Sequence, residues 1–337
     1  MRGVWNSFYV LIIAIMLMWA ATASIVPYLF QRGVTAEEVT VLDVVIAFAT
    51  LFVLTLVIPA RRRTLRRYRW RHVPALVVCS LVGISVYTYL LYKSYSSNAW
   101  NVVPYAIINY MWPLTTILFG VLILKERPTV YTWVGGAVGF LGFLVIQVAK
   151  VFESQAVVDA WRGGAAGEFL RTFLSTMVGD ATAVGCLLAL AGAVLWGLFG
   201  PLARRWSDRW AFDPLSSMML FSGIGAVCVL AVFGPRVRWG FVFSRWDFVV
   251  CLVWLGAGSH GLVNILWLRV IAVGGAGRTG VVAYLTPVLA LVYLAIFHRQ
   301  VPSWYSGLGL ALIIGGIALV ETHRQRSAAS RARAMER

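Results

Sequence analysis

Long apolar runs separated by short polar segments dominate the pattern of this 337-residue chain. A helix needs about 20 apolar residues to cross a bilayer. Breaks between the runs are supplied by prolines and charged residues, as in the Arg61–Arg63 cluster. Strict apolar–polar alternation is absent, so the pattern predicts an all-α polytopic membrane protein with ten transmembrane helices. The predicted spans cover residues 8–29, 39–59, 73–92, 102–124, 130–149, 181–202, 214–234, 247–268, 277–298 and 303–321.

The first run also resembles a secretory signal peptide, because Arg2 precedes an apolar stretch that reaches small residues at 21–23. The apolar run continues past these small residues to Phe30, and its Trp19 is echoed by Trp196 in the sixth run. We therefore expect the first run to be a retained span.

The chain repeats itself at an offset of 174 residues. An internal repeat in a membrane protein is typical of a transporter built from two related halves. Seven pairs are identical without a gap: Tyr110/Tyr284, Pro113/Pro287, Pro128/Pro302, Tyr131/Tyr305, Gly135/Gly309, Ala137/Ala311 and Gly142/Gly316.

The loop charges predict the orientation of the chain. With both termini in the cytoplasm, most lysines and arginines fall in cytoplasmic segments, chiefly between residues 61 and 71 and after residue 321. The segment between the seventh and eighth spans is an exception, with Arg236, Arg238 and Arg245 outside. Five helices per half is an odd number, so the second half must be inverted about a two-fold axis in the membrane plane.

These boundaries divide the chain into a first five-helix repeat (1–149), an extracytoplasmic linker (150–180), a second five-helix repeat (181–321) and a basic cytoplasmic tail (322–337). In the linker, Phe169, Phe173 and Met177 recur every four residues. This spacing fits a short helix on the membrane surface, and a plain solvated linker fits equally.

Composition limits the class of protein and its partners. Apolar residues make up 60% of the chain and charged residues 12%, which excludes an ordinary soluble domain. The net charge of +16 lies in short clusters between apolar runs. We therefore expect a lipid bilayer and a small-molecule substrate as partners, and no nucleic acid. The four cysteines lie inside apolar runs without metal-ligand spacing, so no disulfide, metal or cofactor is expected.

The motif Asn-Tyr-Met-Trp-Pro at residues 109–113, followed by Leu124-Lys125-Glu126-Arg127, resembles the drug/metabolite transporter superfamily. The closer likeness is to its ten-helix EamA-type members, and the motif is similar to that of the bacterial aromatic amino acid exporters. The resemblance implies an inverted five-plus-five fold with a central cavity lined mainly by helices 1, 3, 4, 6, 8 and 9. One departure is Gln300, which stands where the second half would repeat Glu126.

Proline and polar residues inside the spans are candidates for the transport machinery. Pro113 and Pro287 remove backbone hydrogen bonds in helices 4 and 9, so they are either hinges or simple kinks. A buried amide at Asn109 either lines the cavity or bonds a neighbouring helix. His260 and Asn264 share one face of helix 8. His260 either contacts the substrate, relays a proton, or is a neutral histidine bonded to a carbonyl.

Aromatic residues inside the spans either pack the core or form a cavity wall. Such a wall suits the flat ring of an aromatic amino acid by stacking, or a quaternary ammonium compound such as choline by cation–π attraction. The predicted substrate-binding residues are Trp19, Tyr89, Asn109, Trp112, Trp196, His260, Asn264 and Tyr284, with Pro113 and Pro287 as hinges.

Acidic residues are expected near span ends only, at Asp43, Asp180 and Asp247. A carboxylate is the usual proton carrier in coupled pumps. Facilitated or weakly coupled movement is therefore favoured, with His260 as the one candidate for coupling.

Small-residue ladders occur in helix 5 at Gly135 and Gly139, and in helix 10 at Gly307, Ala311 and Gly315. We expect them to join peripheral helices within a half. They permit a homodimer without requiring one.

The sequence therefore favours a secondary transporter that exports a small metabolite, chiefly an aromatic or hydrophobic amino acid, across a bacterial inner membrane by alternating access. A carrier of quaternary ammonium compounds or cationic drugs is the alternative. A membrane enzyme or a scaffold is more remote, because the histidines are scattered and no metal or phosphate motif appears.

Overall fold

A computed structural model describes residues 7–58, 64–100, 102–152, 154–178, 182–289, 292 and 304–335. The described part of the chain folds into helices connected by short turns. The ten principal helices are α1 (Phe8–Gln31), α2 (Ala36–Val57), α3 (Trp70–Ser96), α4 (Val103–Asn109 and Trp112–Leu124), α5 (Val130–Phe152), α6 (Ala183–Trp210), α7 (Pro214–Phe233), α8 (Trp246–Gly274), α9 (Ala276–Ala283, continuing over 285–289) and α10 (Trp304–Met335).

Eight of the described helices are long and apolar enough to cross a membrane, and the apolar part of α5 is a shorter ninth, Val130–Ile146. The all-α membrane architecture predicted from the apolar runs is therefore confirmed. The last part of the predicted ninth span and the repeat residues Gln300 and Pro302 lie outside the described residues, as do Asp180 and the Arg61–Arg63 cluster.

Some helices end elsewhere than the apolar pattern predicts. α6 runs eight residues beyond its predicted end, to Trp210, and α10 continues through the basic tail to Met335. Between the halves, the chain forms two short helices, Gln155–Arg162 and Ala166–Val178, rather than a plain linker. Phe152 of α5 lies 5.3 Å from Phe173 between ring centroids, which seats the second of these helices beside α5.

The two ends of the helical bundle are distinguished by the chain segments that lie there. At the tail end, the α1 residue Tyr9 donates a hydrogen bond to Glu321, just before the basic tail of α10. At the opposite linker end, Tyr105 accepts a hydrogen bond from the backbone N–H of Thr182, which follows the two connecting helices.

Paired glycines bring α5 of the first half into close contact with α10 of the second. A Cβ atom added at Gly135 would lie 2.7 Å from the carbonyl oxygen of Gly316, and one at Gly142 would lie 2.6 Å from that of Gly309. As the number rises along α5 it falls along α10, so the two helices run antiparallel. Gly135 corresponds to Gly309 in the repeat, and Gly142 to Gly316. The two contacts, Gly135 with Gly316 and Gly142 with Gly309, are therefore related by a two-fold axis, which makes the repeat an inverted one.

This glycine contact corrects the packing expected from the small-residue ladders. Those ladders were predicted to act within each half, whereas the observed contact joins the two halves. Gly307 and Gly315 have no atom within 4 Å of an added Cβ, so they take no part in it. Gly139 packs instead against the ring of Tyr284.

Helices α4 and α9 are interrupted at equivalent positions. α4 makes a turn at Tyr110 and Met111, and α9 makes one at Tyr284. In each case a proline at the equivalent repeat position, Pro113 or Pro287, follows within three residues. Each proline lacks the N–H that would bond the carbonyl four residues earlier. In α9, the hydroxyl of Thr286 donates to the carbonyl freed in this way, that of Ala283, at 2.8 Å.

Helices α3 and α8 share a second interruption. Both contain a π-helical segment, Leu81–Ser85 in α3 and Trp254–Leu262 in α8. Positions 81–85 correspond to 255–259 at the repeat offset, so the two segments coincide. π-Helical segments occur often at functional sites because they displace side chains from the regular helical register. Their symmetric placement points to the region between α3 and α8.

Candidate functional site

Four indole rings meet at the centre of the bundle. They come from Trp19 of α1, Trp112 of α4, Trp196 of α6 and Trp267 of α8. The Trp19 ring centroid lies 5.9, 5.7 and 5.4 Å from those of Trp112, Trp196 and Trp267 respectively. The Trp112 and Trp267 centroids are 5.4 Å apart. We call these four residues the tryptophan cluster, and both halves of the repeat contribute to it equally.

Burial differs among the members of the tryptophan cluster. Trp112, Trp196 and Trp267 are buried, whereas Trp19 keeps partial exposure. Trp19 also donates its indole N–H to the carbonyl of Ser259 at 3.2 Å, in the π-helical segment of α8. Trp19 is thus the partly exposed member of the cluster, and its ring is held by a backbone acceptor.

A tyrosine of α3 extends the cluster, but it is not the one predicted. Tyr87 stacks on Trp196 with centroids 4.6 Å apart. Tyr89 stacks on Phe233 instead, and its hydroxyl donates to Glu37 at 3.4 Å. Two residues turn a helix by about 200°, so Tyr87 and Tyr89 face opposite sides.

Tyr284, also predicted to bind substrate, lies on another face of the bundle. Its side chain is fully buried, its ring lies 6.3 Å from that of Phe140 in α5, and its hydroxyl donates to the carbonyl of Tyr110 at 3.3 Å. This hydrogen bond ties the interrupted parts of α4 and α9 together. The structure therefore places Tyr284 in the packing between the halves, where it links the interruptions of α4 and α9.

Two amides on helices of the tryptophan cluster carry buried atoms without hydrogen-bond partners among the described residues. The Oδ1 of Asn109 and both amide atoms of Asn264 are buried and make no hydrogen bond within the described residues. A Cβ added at Gly192, one turn before Trp196, would lie 3.9 Å from the Asn109 Oδ1. Asn264 lies three residues before Trp267. Buried polar atoms are normally paired, so these amides are candidate positions for a polar ligand group.

His260 is held by groups from two other helices. Its Nδ1 lies 2.6 Å from the Oδ2 of Asp43 in α2, and its Nε2 lies 3.1 Å from the hydroxyl of Thr88 in α3. Tyr92 also donates its hydroxyl to the Asp43 Oδ2, at 2.6 Å. Asp43 is 0% exposed, and its Oδ1 has no partner within the described residues.

The position of Asp43 corrects the expectation that acidic residues lie only at span ends. α2 begins at Ala36, so Asp43 lies two turns inside the helix. The sequence carried a signal for this early start, because Thr35 and Glu38 form a capping box. A buried carboxylate is therefore present beside the one histidine that the sequence had singled out.

Two of the three arginines that depart from the charge rule, Arg238 and Arg245, form ion pairs at the linker end. Arg238 donates to the fully buried Glu38 at 2.8 Å and to the carbonyl of Gly33 at 2.6 Å. Arg245 donates to Asp247 at 2.8 Å. Both arginines are thus paired with carboxylates, and they remain exceptions to a rule that counts lysines and arginines rather than net charge.

Glu126 caps the N-terminus of α9 at the tail end of the bundle. Its two carboxylate oxygens accept hydrogen bonds from the backbone N–H groups of Ala276 at 3.0 Å and Gly277 at 3.1 Å. Arg204 of α6 lies 3.5 Å from the same carboxylate and donates to the carbonyl of Ile271 at 2.7 Å. A carboxylate at a helix N-terminus is stabilised by the unpaired N–H groups and by the helix dipole.

Replacing Glu126 with alanine should lower the free energy of unfolding by about 1–3 kcal/mol, because hydrogen bonds to a charged group are lost and the α9 N–H groups stay unpaired. Urea or thermal unfolding in detergent measures this change. Glu168→Ala is the matched control, since Glu168 is an exposed acid in the first turn of a connecting helix. Equal effects of the two substitutions would contradict the proposed cap.

The comparisons with known proteins agree with this architecture. The chain is 27% identical over 213 residues to the aromatic amino acid exporter YddG of Ancylobacter novellus, a match that covers 63% of this chain and 64% of that relative. It is 23% identical over 293 residues to a probable terminal-alkyne amino-acid exporter of Streptantibioticus cattleyicolor, covering 86% of this chain and 83% of that relative. The match to YddG thus spans slightly less than two thirds of the relative's length.

A protein of known crystal structure shares the fold, with a TM-score of 0.69 and 21% identity over 93% of this chain and 96% of that one. The family model of EamA-like transporters matches the chain twice, over residues 6–148 and 183–322. These two matches fall in the two halves of the sequence repeat and confirm the resemblance seen in the sequence. The chain is a multi-pass membrane protein that belongs to the EamA-like transporter family.

Proposed function

We propose that this protein is a secondary transporter that exports aromatic and other hydrophobic amino acids across the bacterial inner membrane by alternating access. The observation that carries the proposal is the tryptophan cluster with unpaired amides at its border. Indole rings stack on a flat side chain. Asn109 and Asn264 supply both donors and acceptors, which suit the ammonium and carboxylate groups of an amino acid.

The relatives support the substrate class. Two of them are named as an amino acid exporter or a probable one. Both names describe export, so we extend that direction to this chain.

The inverted repeat supports alternating access. Each half contributes two indoles to the cluster, one interrupted helix and one π-helical segment. Tilting one half against the other about the α5–α10 contact would open the cluster first to one end of the bundle and then to the other. In this scheme Pro113 and Pro287 serve as hinges. The basic tail of α10 and most loop arginines support a cytoplasmic position for the tail end.

A quaternary ammonium compound is the second candidate, because four indoles could surround a cation. Choline, for example, has neither an N–H nor a carboxylate to pair with Asn109 and Asn264. The unpaired amides therefore favour an amino acid.

The proposal is tested by counterflow in proteoliposomes loaded with unlabelled amino acid. We expect uptake of labelled phenylalanine above that of choline, and a reduction of about tenfold in Asn109→Leu and Asn264→Leu, since losing a hydrogen bond to a charged group costs about 1.5–3 kcal/mol. Asn98→Leu is the matched control, because Asn98 lies in the turn after α3. Choline counterflow without amino acid counterflow would overturn the assignment, as would full activity in both folded variants.

A further inference from the structure

We propose that Asp43 and His260 form a proton site that couples export to the proton gradient. In this scheme Asp43 pairs in turn with protonated His260 and with the ammonium group of the substrate. This inference rests on the proposed function and adds the driving force to it.

The first argument is the charge balance around Asp43. A carboxylate away from water is costly unless a positive charge or hydrogen-bond donors neutralise it. From α3, Tyr92 donates to Asp43, while Tyr87 is turned to the tryptophan cluster. The α1 groups at this position, Trp19 and Thr22, are not titratable and bond Ser259.

The other acids of α2 are already neutralised. Glu37 pairs with Lys93 at 2.9 Å and Glu38 with Arg238, both toward the linker end. Within the described residues, the hydrogen-bond donors on Asp43 are Tyr92 and His260. A proton on His260 is therefore the positive charge that these surroundings supply to Asp43.

The second argument is the dual role of Thr88. When His260 is neutral, its Nδ1–H donates to Asp43 and its Nε2 accepts from the Thr88 hydroxyl. When a proton from water binds Nε2, the resulting N–H donates to the Thr88 oxygen, and the Thr88 hydrogen turns away. A hydroxyl both donates and accepts, so the imidazole gains or loses one proton while Asp43, His260 and Thr88 keep their positions.

The third argument is that Asp43 retains an unpaired oxygen beside the candidate substrate site. Its buried Oδ1 makes no hydrogen bond within the described residues. His260 directly follows Ser259, whose carbonyl holds Trp19, and it precedes Asn264 by four residues on the same helix. A substrate ammonium that reaches Oδ1 brings its own positive charge, so His260 then releases its proton. Occupation of Asp43 by one cation excludes the other, as exchange requires.

The fourth argument is that the site bridges the two halves. Asp43 lies on α2 of the first half and His260 on the π-helical segment of α8 in the second. The helices touch through backbone here, since a Cβ added at Gly256 would lie 2.7 Å from the carbonyl oxygen of Asp43. A tilt of one half against the other would therefore change the access of water to the pair, so the proton could enter from one side and leave to the other.

The experiment uses the full chain in proteoliposomes with the membrane potential clamped by potassium and valinomycin. Labelled phenylalanine should accumulate on the acidic side, up to about tenfold per pH unit for one proton exchanged per substrate. Adding phenylalanine should also start a proton flux, read with a pH dye inside the vesicles. Counterflow without a gradient is measured in parallel.

Substitutions separate the members of the site. His260→Gln and Asp43→Asn should reduce accumulation and substrate-dependent proton flux to the level of empty vesicles. Thr88→Val, which cannot bond either form of the imidazole, should shift the pH at which accumulation is half-maximal, whereas Thr88→Ser should restore the wild-type profile. This rescue keeps the inference testable if the Asp43 or His260 variant fails to fold.

The outcomes are distinct. Wild-type counterflow with neither gradient-driven accumulation nor proton flux overturns the proton site and leaves the exporter standing. Gradient-driven accumulation that persists in folded His260→Gln also overturns it. Absence of counterflow of any amino acid overturns the proposed function, and this inference with it.

Discussion

Replacing Trp19 with alanine is expected to lower the initial rate of phenylalanine counterflow by about tenfold or more. Trp19 is the partly exposed member of the tryptophan cluster, and its ring contacts the rings of the other three members. One aromatic pair contributes about 0.5–1.5 kcal/mol beyond its buried area, and about 1.4 kcal/mol corresponds to a factor of ten. The substitution removes both the stacking surface for the substrate and the hydrogen bond to Ser259. Initial rates at matched protein content in the membrane measure the loss.

Two further variants make this result specific. Trp19→Phe keeps a flat ring but lacks the indole N–H, so we expect it to retain an intermediate rate. Trp100→Ala is the matched control, because Trp100 is 82% exposed at the linker end and lies outside the cluster. A normal rate in a folded Trp19→Ala variant would show that the cluster serves packing alone.

The spans and the repeat could be predicted because both depend on local sequence. The length of the apolar runs and the charged breaks between them determine which segments cross the membrane. The repeat is visible because Pro113 and Pro287 occupy equivalent positions in the two halves. The interruptions of α4 and α9 follow from the same prolines. Helix ends beyond the apolar runs were missed, because α6 and α10 continue as helices into polar sequence.

The candidate site could be predicted only in part. Trp19, Trp112 and Trp196 were identified because an indole inside a span is conspicuous, and the structure brings these three together. Trp267 was not among the predicted site residues. Its contact with Trp19, at 5.4 Å, depends on how α1 and α8 pack, which helical spacing does not contain.

The structure places Tyr89 and Tyr284 away from the tryptophan cluster for one physical reason. Tyr89 and Tyr284 lie within spans, but which face of a helix meets the centre of the bundle is decided by tertiary packing. In α3 a π-helical segment, Leu81–Ser85, precedes Tyr89 and shifts the register of the residues after it. Asp43 was assigned to a span end because the start of α2 was placed three residues too late.

The glycine contact between α5 and α10 predicts a clear loss of stability when a side chain is added there. Replacing Gly142 with alanine should lower the free energy of unfolding by about 1–3 kcal/mol, since extra volume in a tight contact forces atoms apart. The added Cβ would lie 2.6 Å from the carbonyl oxygen of Gly309 and 2.9 Å from the backbone nitrogen of Ile313. Both obstacles are backbone atoms, so the helices themselves must separate.

Gly315→Ala provides the matched control on the same pair of helices, because an added Cβ there meets no atom within 4 Å. Alanine is also the better helix former, so this control should be neutral or slightly stabilising. Unfolding in detergent measures both variants. The Gly142 variant should also slow counterflow, because the halves would tilt against each other at this contact. Equal stability of the two variants would mean that α5 and α10 do not approach each other this closely in the membrane.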